Sequence, residues 1–250
     1  ISPLTKAVLV VHLYGRAADL AGLSALCSSH GLALVEDCAQ AHGSQYQGSP
    51  VGSIGAFGAW SFYPTKNLGA IGDAGAITSN DPALIAAARQ LRNYGQSDRY
   101  HHERAGLNSR LDELQASILL QRLPYLQSWT ERRRAIANRY WTEINNPQLE
   151  TLDKPTDPLS HVHHLFVLKP LGNRRETVQK HLAAAGVKTL IHYPVLSHKQ
   201  QAIAEHRLDP GGLPSAVNHS KNCISLPIHP FLSDTEIDLI LNACNALIQE

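Results

Sequence analysis

Leu32-Ala33-Leu34-Val35-Glu36-Asp37-Cys38-Ala39-Gln40-Ala41-His42-Gly43 is the stretch on which the fold turns. A short apolar run breaks off at an acidic pair and gives way to small and polar residues. Leu32 to Val35 reads as a buried strand. Upstream, Lys6 to Leu13 is an apolar, β-branched run that reads as another strand, and Ala17 to Ser29 carries apolar residues at helical spacing before a stop at Gly31. Strand, helix and strand in this order predict a parallel pair joined by a crossover helix, hence an α/β fold with a mostly parallel sheet. Asp37 then falls at the carboxyl end of its strand, the edge at which open α/β sheets bind ligands.

A further strand, Ala59 to Tyr63, leads into Ser61-Phe62-Tyr63-Pro64-Thr65-Lys66-Asn67-Leu68-Gly69-Ala70 and delivers Lys66 just past its own end. Asp37 and Lys66 are therefore expected to face one crevice. A lysine amine that forms a Schiff base, with an acid that keeps a pyridine nitrogen protonated, is what pyridoxal phosphate requires of a protein. Ser61 and the small residues near Lys66 are suited to holding its phosphate. Each residue also has a plainer reading. A lone lysine is usually a solvated charge, and an aspartate after a strand is often a cap or turn residue. Spacing alone leaves both readings standing.

The motifs extend through most of the chain. They include Val11-His12-Leu13-Tyr14-Gly15, Glu36 to Gly43, Ser61 to Ala70 with Gly72-Asp73-Ala74-Gly75-Ala76, Leu91-Arg92-Asn93-Tyr94-Gly95 and Gly106 to Ala116. Ile191-His192-Tyr193-Pro194 and Leu226-Pro227-Ile228-His229-Pro230 follow. In these words the sequence resembles the DegT/DnrJ family of sugar aminotransferases, which have the fold type I architecture of aspartate aminotransferase. The resemblance implies a PLP-binding large domain and a small C-terminal α+β domain.

It also implies roles. Lys66 matches the Schiff-base lysine, Asp37 the acid at the pyridine nitrogen, Gln40 a residue against the ring and its hydroxyl, and Ser61 a phosphate ligand. Asn108 matches an asparagine that reaches the phosphate of the neighbouring subunit's cofactor, so a homodimer with shared active sites is implied. Tyr63, Arg99, His192 and Tyr193 match positions beside the sugar pocket. The implied reaction passes an amino group from glutamate to a nucleotide-linked keto sugar. The run Asn93 to Tyr100 followed by Gly106 to Arg110 looks more like members acting at C3 of a dTDP-linked 3-keto-6-deoxyhexose than like those acting at C4.

One departure stands out. The family's chain begins with a segment carrying a Gly-Ser/Thr phosphate turn and the aromatic residue that stacks on the ring, and nothing in this sequence precedes Ile1 to supply them. Together with the absence of Met and a bulky first residue, this sets the expectation that the 250 residues are a piece of a longer protein. A truncated, non-catalytic relative that keeps a dimer surface or a regulatory role is the rival from another class. Relatives that act as dehydratases carry histidine in place of the lysine, and Lys66 speaks against that reading. A nicotinamide dehydrogenase wants Gly-x-Gly-x-x-Gly between strand and helix, whereas Gly52, Gly55 and Gly58 have other spacing and precede a strand.

Composition narrows the partners. With 43% hydrophobic residues the chain can build a sizeable core, and 22 basic against 21 acidic residues predict no broad attraction to nucleic acid or anionic membrane. The basic run Arg132-Arg133-Arg134 lies at helical spacing and reads as a solvated face. No apolar run is long enough to span a bilayer and no signal peptide is evident, so a cytoplasmic location is expected. Cys27, Cys38, Cys223 and Cys244 lack paired spacing and read as reduced, buried thiols. His161 and His163 alternate onto one face of a predicted strand, a candidate metal pair with no third ligand nearby, so no metal site is assigned.

Beyond Ala76, Asp81-Pro82 predicts a capped helix running to about Arg92. Asn108 and Ser109 are expected to start a long helix to Ile144, kinked at Pro124. The proline-bearing stretch Asn145 to Pro158 places a boundary between domains at 1–145 and 146–250. Strand 162–169, helix 173–185, strand 187–191 and a final helix opened by the capping box Ser233-Asp234-Thr235-Glu236 complete the expectation.

Overall fold

The computed structural model describes residues 1–203, 209 and 211–247. The chain divides into two compact units, Ile1–Arg134 with Pro155–His164, and Ala135–Lys154 with the residues from Leu165 onward.

In the first unit, β1 (Ala7–Val11), α1 (Leu20–His30) and β2 (Ala33–Asp37) form the predicted strand, helix, strand unit. β1 and β2 run parallel, with Ala7 opposite Ala33 and Val11 opposite Asp37. Leu20 and Cys27 of α1 pack on Leu34, Val8 and Val10, the inward residues of the two strands. A small hairpin, β3 (Gln45–Tyr46) and β4 (Ser49–Pro50), precedes β5 (Phe57–Ser61), which lies parallel to β2. β6 (Gly75–Thr78) returns antiparallel to β5, so the sheet order is β1-β2-β5-β6. The α/β, mostly parallel reading holds. Beyond the sheet come α2 (Pro82–Leu91), the hairpin of β7 (Gln96–Asp98) and β8 (His101–His102), α3 (Glu113–Arg122) and α4 (Leu126–Glu143). Asp81 caps α2 as predicted, its carboxylate accepting from the Ala83 and Leu84 N–H groups at 2.8 and 3.4 Å.

The long helix starts later than expected. Asn108 bridges to Asn93 in an extended pairing, and Asp112 keeps β-region torsions as the N-cap residue of α3. The break falls near Pro124 as predicted, where a 3-10 turn at Leu123–Tyr125 separates α3 from α4. Residues of α4 through Arg134 belong to the first unit and the rest to the second.

A buried carboxylate organises the carboxyl edge of the sheet. Glu36 is 0% exposed, and its Oε2 accepts from His12 Nε2 at 3.1 Å and from the Gly52 N–H at 2.7 Å. Its Oε1 accepts from the Ile54 and Gly55 N–H groups at 2.9 and 2.6 Å. Burial pushes its proton affinity up, but the His12 and three backbone donors together outweigh that, and Glu36 titrates below the usual carboxylate range. His12 Nδ1 accepts from the Ala18 N–H at 3.1 Å, which leaves Nε2 as the donor. Cys38 Sγ donates to the Glu36 carbonyl at 3.7 Å. These three side chains have metal-ligating atoms within 4.8 Å of one another, yet each is committed to the strand-edge network.

In the second unit β9 (Leu149–Thr151), β10 (Phe166–Pro170) and β11 (Ile224–Leu226) form an antiparallel sheet in the order β11-β10-β9, joined by α5 (Arg175–Ala184), α6 (Pro214–Asn222) and α7 (Asp234–Asn245). This is the expected α+β arrangement. Its core gathers Ile136, Tyr140, Phe166, Leu168, Val178, Leu182, Ile224 and Ile237, and the Tyr140 hydroxyl donates to the Pro227 carbonyl at 2.7 Å. The strand expected over 162–169 begins only at Phe166, because Val162 is drawn onto Gly15 and His163 takes a left-handed φ of +46. The strand expected at 187–191 is reduced to one bridge between Leu190 and Ser225. The four cysteines are free and buried, as read. Among the described residues no helix is long and apolar enough to cross a membrane.

The predicted capping box is present: Ser233 Oγ accepts from the Glu236 N–H at 3.2 Å, and Glu236 Oε2 accepts from the Ser233 N–H at 2.8 Å. Ser233→Ala is expected to lower the stability of the second unit by about 1 kcal/mol in urea unfolding. Glu36→Ala, which strands His12 and three backbone N–H groups, is expected to cost the first unit about 3–5 kcal/mol in the same measurement.

Candidate active site

Asp37 ends β2, and Lys66 lies in the turn that follows β5, the next strand in the sheet. Asp37 Oδ1 accepts from the Ala39 N–H at 2.9 Å, and among the described residues Oδ2 meets no donor. Lys66 Nζ makes no hydrogen bond among the described residues. Burial lowers its proton affinity below the ordinary lysine value, and the charge of Asp37 acts the other way without reversing it. The structure thus couples the two residues electrostatically. A half-buried amine of reduced proton affinity next to a carboxylate is a nucleophile suited to attack a carbonyl.

The main chain around Lys66 is tightly looped. Its N–H donates to the Tyr63 carbonyl at 2.8 Å, and the Ala70 N–H donates to the Phe62 carbonyl at 2.7 Å. A Cβ at Gly69 would lie 2.5 Å from the Pro64 carbonyl oxygen, so only glycine closes this loop. Ser61 Oγ accepts from the Tyr63 N–H at 3.3 Å and keeps its own proton for another acceptor.

Gln40 is buried, and its Oε1 accepts from the Tyr14 N–H at 2.6 Å. This fastens the Asp37 turn to the turn that follows β1. There Gly15 has φ +90, and a Cβ would fall 2.8 Å from both the Gln40 carbonyl and Val162 Cγ2. The Val162 N–H donates to the Gly15 carbonyl at 2.9 Å, so residues 161–164 lie across this edge as a strap. Two cations of α4 hold it: Arg133 Nη1 donates to the His163 carbonyl at 3.0 Å, and Arg134 Nε to the His161 carbonyl at 3.0 Å. Arg133 is buried, which pushes its proton affinity down to about 10 and still leaves it charged at neutral pH. The expected solvated face is therefore partly an internal clamp.

His42 lies under the site, its ring 5.4 Å from Trp60 and 5.6 Å from Phe62. Among the described residues neither ring nitrogen meets a hydrogen-bond partner, although the Ser61 backbone lies near enough to favour its protonation. Burial chiefly, with the charge of Lys66 adding to it, lowers its proton affinity to about 4. His161 and His163 stack at 3.8 Å between ring centroids. Burial and neighbouring arginines lower them to about 2 and 3, and the positive surroundings disfavour the cation site the alternation hinted at.

The remaining predicted residues are spread more widely. Tyr63 is exposed in the Lys66 loop. Arg99 sits in the β7–β8 hairpin, its guanidinium 5.1 Å from the Tyr100 ring. Asn108 is exposed, with Oδ1 accepting from Arg110 Nε at 3.1 Å. His192 and Tyr193 belong to the second unit, where His192 Nδ1 is 2.8 Å from Ser225 Oγ and the two rings meet edge to face. Sequence reasoning missed Glu36, His42, Asn67 and His164 as parts of the edge. The first three lie inside the quoted motifs, and pleat alternation puts Glu36 on the opposite face from Asp37.

A lysine and an aspartate set at the carboxyl edge of a mostly parallel sheet, with an α+β unit after it, define an α/β protein of the aspartate aminotransferase fold class. The chain belongs to the DegT/DnrJ/EryC1/StrS aminotransferase family, whose model matches residues 1–245. It is 46% identical over 246 residues to the erythromycin biosynthesis sensory transduction protein EryC1 of Saccharopolyspora erythraea, covering 98% of this chain and 67% of that protein. It is 44% identical to the dTDP-3-amino-3,4,6-trideoxy-alpha-D-glucose transaminase of Streptomyces venezuelae, covering 97% of this chain and 64% of that one. The crystal structure of S. venezuelae DesV in complex with a ketimine intermediate superposes with a TM-score of 0.90 at 43% identity, covering 98% of this chain and 66% of that one. The chain thus spans about two thirds of the length of these relatives.

The buried histidines make the first unit sensitive to acid. Folding holds His42, His161 and His163 neutral to pH values well below about 6.5, where the unfolded chain takes up protons. Their contribution is therefore complete above pH 6.5 and is lost as pH falls toward 4, by about 1.4 kcal/mol per pH unit for each. Urea midpoints at pH 7.5 and 5.0 test this, since carboxylates titrate mainly below that window. The expected drop shrinks in His163→Asn, and equal midpoints would refute neutral burial.

Proposed function

We infer that the protein is a pyridoxal phosphate-dependent aminotransferase, passing an amino group from glutamate to the C3 keto group of a dTDP-linked 6-deoxyhexose. The observation that carries this is the Lys66–Asp37 pair. A half-buried amine and a carboxylate oxygen, both without a hydrogen-bond partner among the described residues, lie just beyond neighbouring strand ends, with the Ser61 hydroxyl leading into the lysine loop. This donor set fits the cofactor: an amine for its aldehyde, an acid for its ring nitrogen and a hydroxyl for its phosphate. The C3 assignment is supported by the 44% identical relative, named for a 3-amino sugar product.

When bound, the cofactor supplies an electron-accepting ring that stabilises negative charge at the substrate's α-carbon. The chain's own residues do the rest. Lys66 Nζ would bond to the cofactor's aldehyde carbon with loss of water and, once displaced by the amino donor, would take the proton from the donor's α-carbon, the carbon that loses the nitrogen, and deliver it to the cofactor carbon that keeps the nitrogen. Its lowered proton affinity keeps more of it in the base form near neutrality. Asp37 would keep the ring nitrogen protonated, so that the ring can draw electron density from the substrate's α-carbon. Gln40, its Oε1 fixed by the Tyr14 N–H, is buried in the turn that follows Asp37. With a keto sugar the same groups run the steps in reverse, and Tyr63, Arg99, His192 and Tyr193 are its proposed contacts.

A homodimer with shared sites is part of this reading. Leu107, Leu114, Leu120 and Tyr125, in and around α3, are exposed apolar residues close in sequence to exposed Asn108, a composition suited to a subunit interface.

Absorbance spectra of the chain with pyridoxal phosphate, before and after glutamate, test the assignment. A Lys66-dependent band that glutamate removes is expected, with Lys66→Ala folded and inactive; steady-state transamination by that variant ends the assignment. Assays with 3-keto and 4-keto sugars separate C3 from C4 action. Shared sites predict that mixing inactive Lys66→Ala with inactive Asn108→Leu protein restores turnover through mixed dimers, and no recovery after subunit exchange counts against sharing.

A further inference from the structure

Lys66 is followed directly by Asn67, a buried polar residue at 5% exposure with both ends of its amide engaged. Asn67 Nδ2 donates to the Val162 carbonyl at 2.9 Å. Its Oδ1 is 3.2 Å from His164 Nδ1. Because the amide nitrogen is the donor toward Val162, Oδ1 is the acceptor, and His164 carries its proton on Nδ1. These bonds join residues 95 and 97 positions apart in sequence, and His164 is itself 8% exposed.

The anchor is stiff. Val162 is held by Gly15, His161 by Arg134, and His163 and His164 by Arg133, whose Nη1 reaches the two carbonyls at 3.0 and 3.4 Å. The far side of the loop is fastened separately: Arg122 Nη1 donates to the Gly69 and Ala70 carbonyls at 2.5 and 3.3 Å, and the Ile71 N–H to Gln115 Oε1 at 3.0 Å. Lys66 is thus a flexible side chain on a main chain pinned at both ends, the nearer pin being the next residue.

From this arrangement we propose that Asn67, latched to Val162 and His164, is a positioning residue that sets where the Lys66 amine stands in its crevice. Its amide is buried and engaged at both ends within the protein, so it acts through Lys66. It fixes the peptide it shares with Lys66, so the amine sweeps a small volume near Asp37 rather than the open face of the loop. A lysine stem has four rotatable bonds, and only a fixed base keeps its range narrow enough for repeated attack at one carbon. Misplacing a reacting group by about 1 Å costs on the order of 10²-fold in rate. The proposal deepens the reading of Lys66 as the reactive amine and rests on it for its consequence, though the latch can be measured without the cofactor.

The test reads Lys66 directly in the purified chain by competitive acetylation across a pH series, with peptide mass spectrometry comparing Lys66 with Lys6 and Lys154. Asn67→Ala and His164→Ala are expected to raise the apparent pKa of Lys66 toward the ordinary lysine value as the amine gains water. The other lysines should stay unchanged, while the melting temperature falls by the several degrees that losing buried hydrogen bonds costs. His164→Asn, which returns an amide N–H near the place of Nδ1, is expected to restore the wild-type profile. A folded Asn67→Ala protein with a wild-type Lys66 profile overturns the proposal, as does His164→Asn behaving like His164→Ala. Should Asn67→Ala fail to fold, the two His164 variants decide alone.

Pyridoxal phosphate is the second probe, trapped by borohydride and located by the mass of the Lys66 peptide. Capture slowed on the order of 10²-fold by Asn67→Ala is expected, and capture at the wild-type rate by the folded variant overturns the latch. No capture at Lys66 by the wild-type chain removes the cofactor reading, while acetylation still judges the latch.

Discussion

One buried charge holds the catalytic edge together. Glu36 has no exposed surface, and a carboxylate in that position is tolerable only when its lone pairs are filled. Four donors fill them, and each comes from a place the sheet must control: His12 just beyond β1, and Gly52, Ile54 and Gly55 in the turn that leads into β5. The strands that carry Asp37 and Ser61 are therefore tied at one point as well as through their ladder. Burial alone would favour the neutral acid. Because the donors reverse that preference, the network keeps its charge at neutral pH.

A second constraint works from outside the sheet. The strap at 161–164 comes from beyond α4 in sequence but belongs to the first unit. Its carbonyls are satisfied by side chains rather than by a neighbouring strand: guanidinium groups at His161, His163 and His164, and the Asn67 amide at Val162. That choice explains why His161 and His163 stay neutral: they are enclosed, and the formal charges near them are arginines. It also explains why Gly15 has no substitute. Its Cα sits where the Asp37 turn and the strap converge, with no room for a methyl group.

Much of this was legible in the sequence. The β1–α1–β2 unit, the position of Asp37 at a strand end, Lys66 beyond the next strand, the Asp81 cap and the Ser233 capping box all follow from local rules, because each depends on residues within a few positions. The failures share a cause. Asn108 to Asp112 reads as the start of a helix by local pattern, but Asn108 pairs with Asn93 in an extended bridge, a contact that no local pattern reveals. His161 to Leu165 alternates like a strand, yet the Gly15 carbonyl and two arginines give it other partners. Arg133 reads as a solvated base because its acceptors are carbonyls about 30 residues away, invisible as a motif.

Glu36 and Asp37 show how far identical chemistry can diverge between adjacent residues. The pleat sends one side chain inward to a full set of donors, and there it can only hold structure. It sends the other toward the crevice with one oxygen turned to its own turn and one left over. The leftover oxygen and the amine of Lys66 then influence each other: burial draws the amine toward neutrality, the carboxylate draws it back, and the balance falls on the side of burial. A site of this kind needs its carboxylate near enough to stabilise a cation yet not so close that the amine is locked as one. That spacing is set by neither residue, but by the strand ends on which they stand, and so by Glu36 beneath one of them and the pinned loop that carries the other.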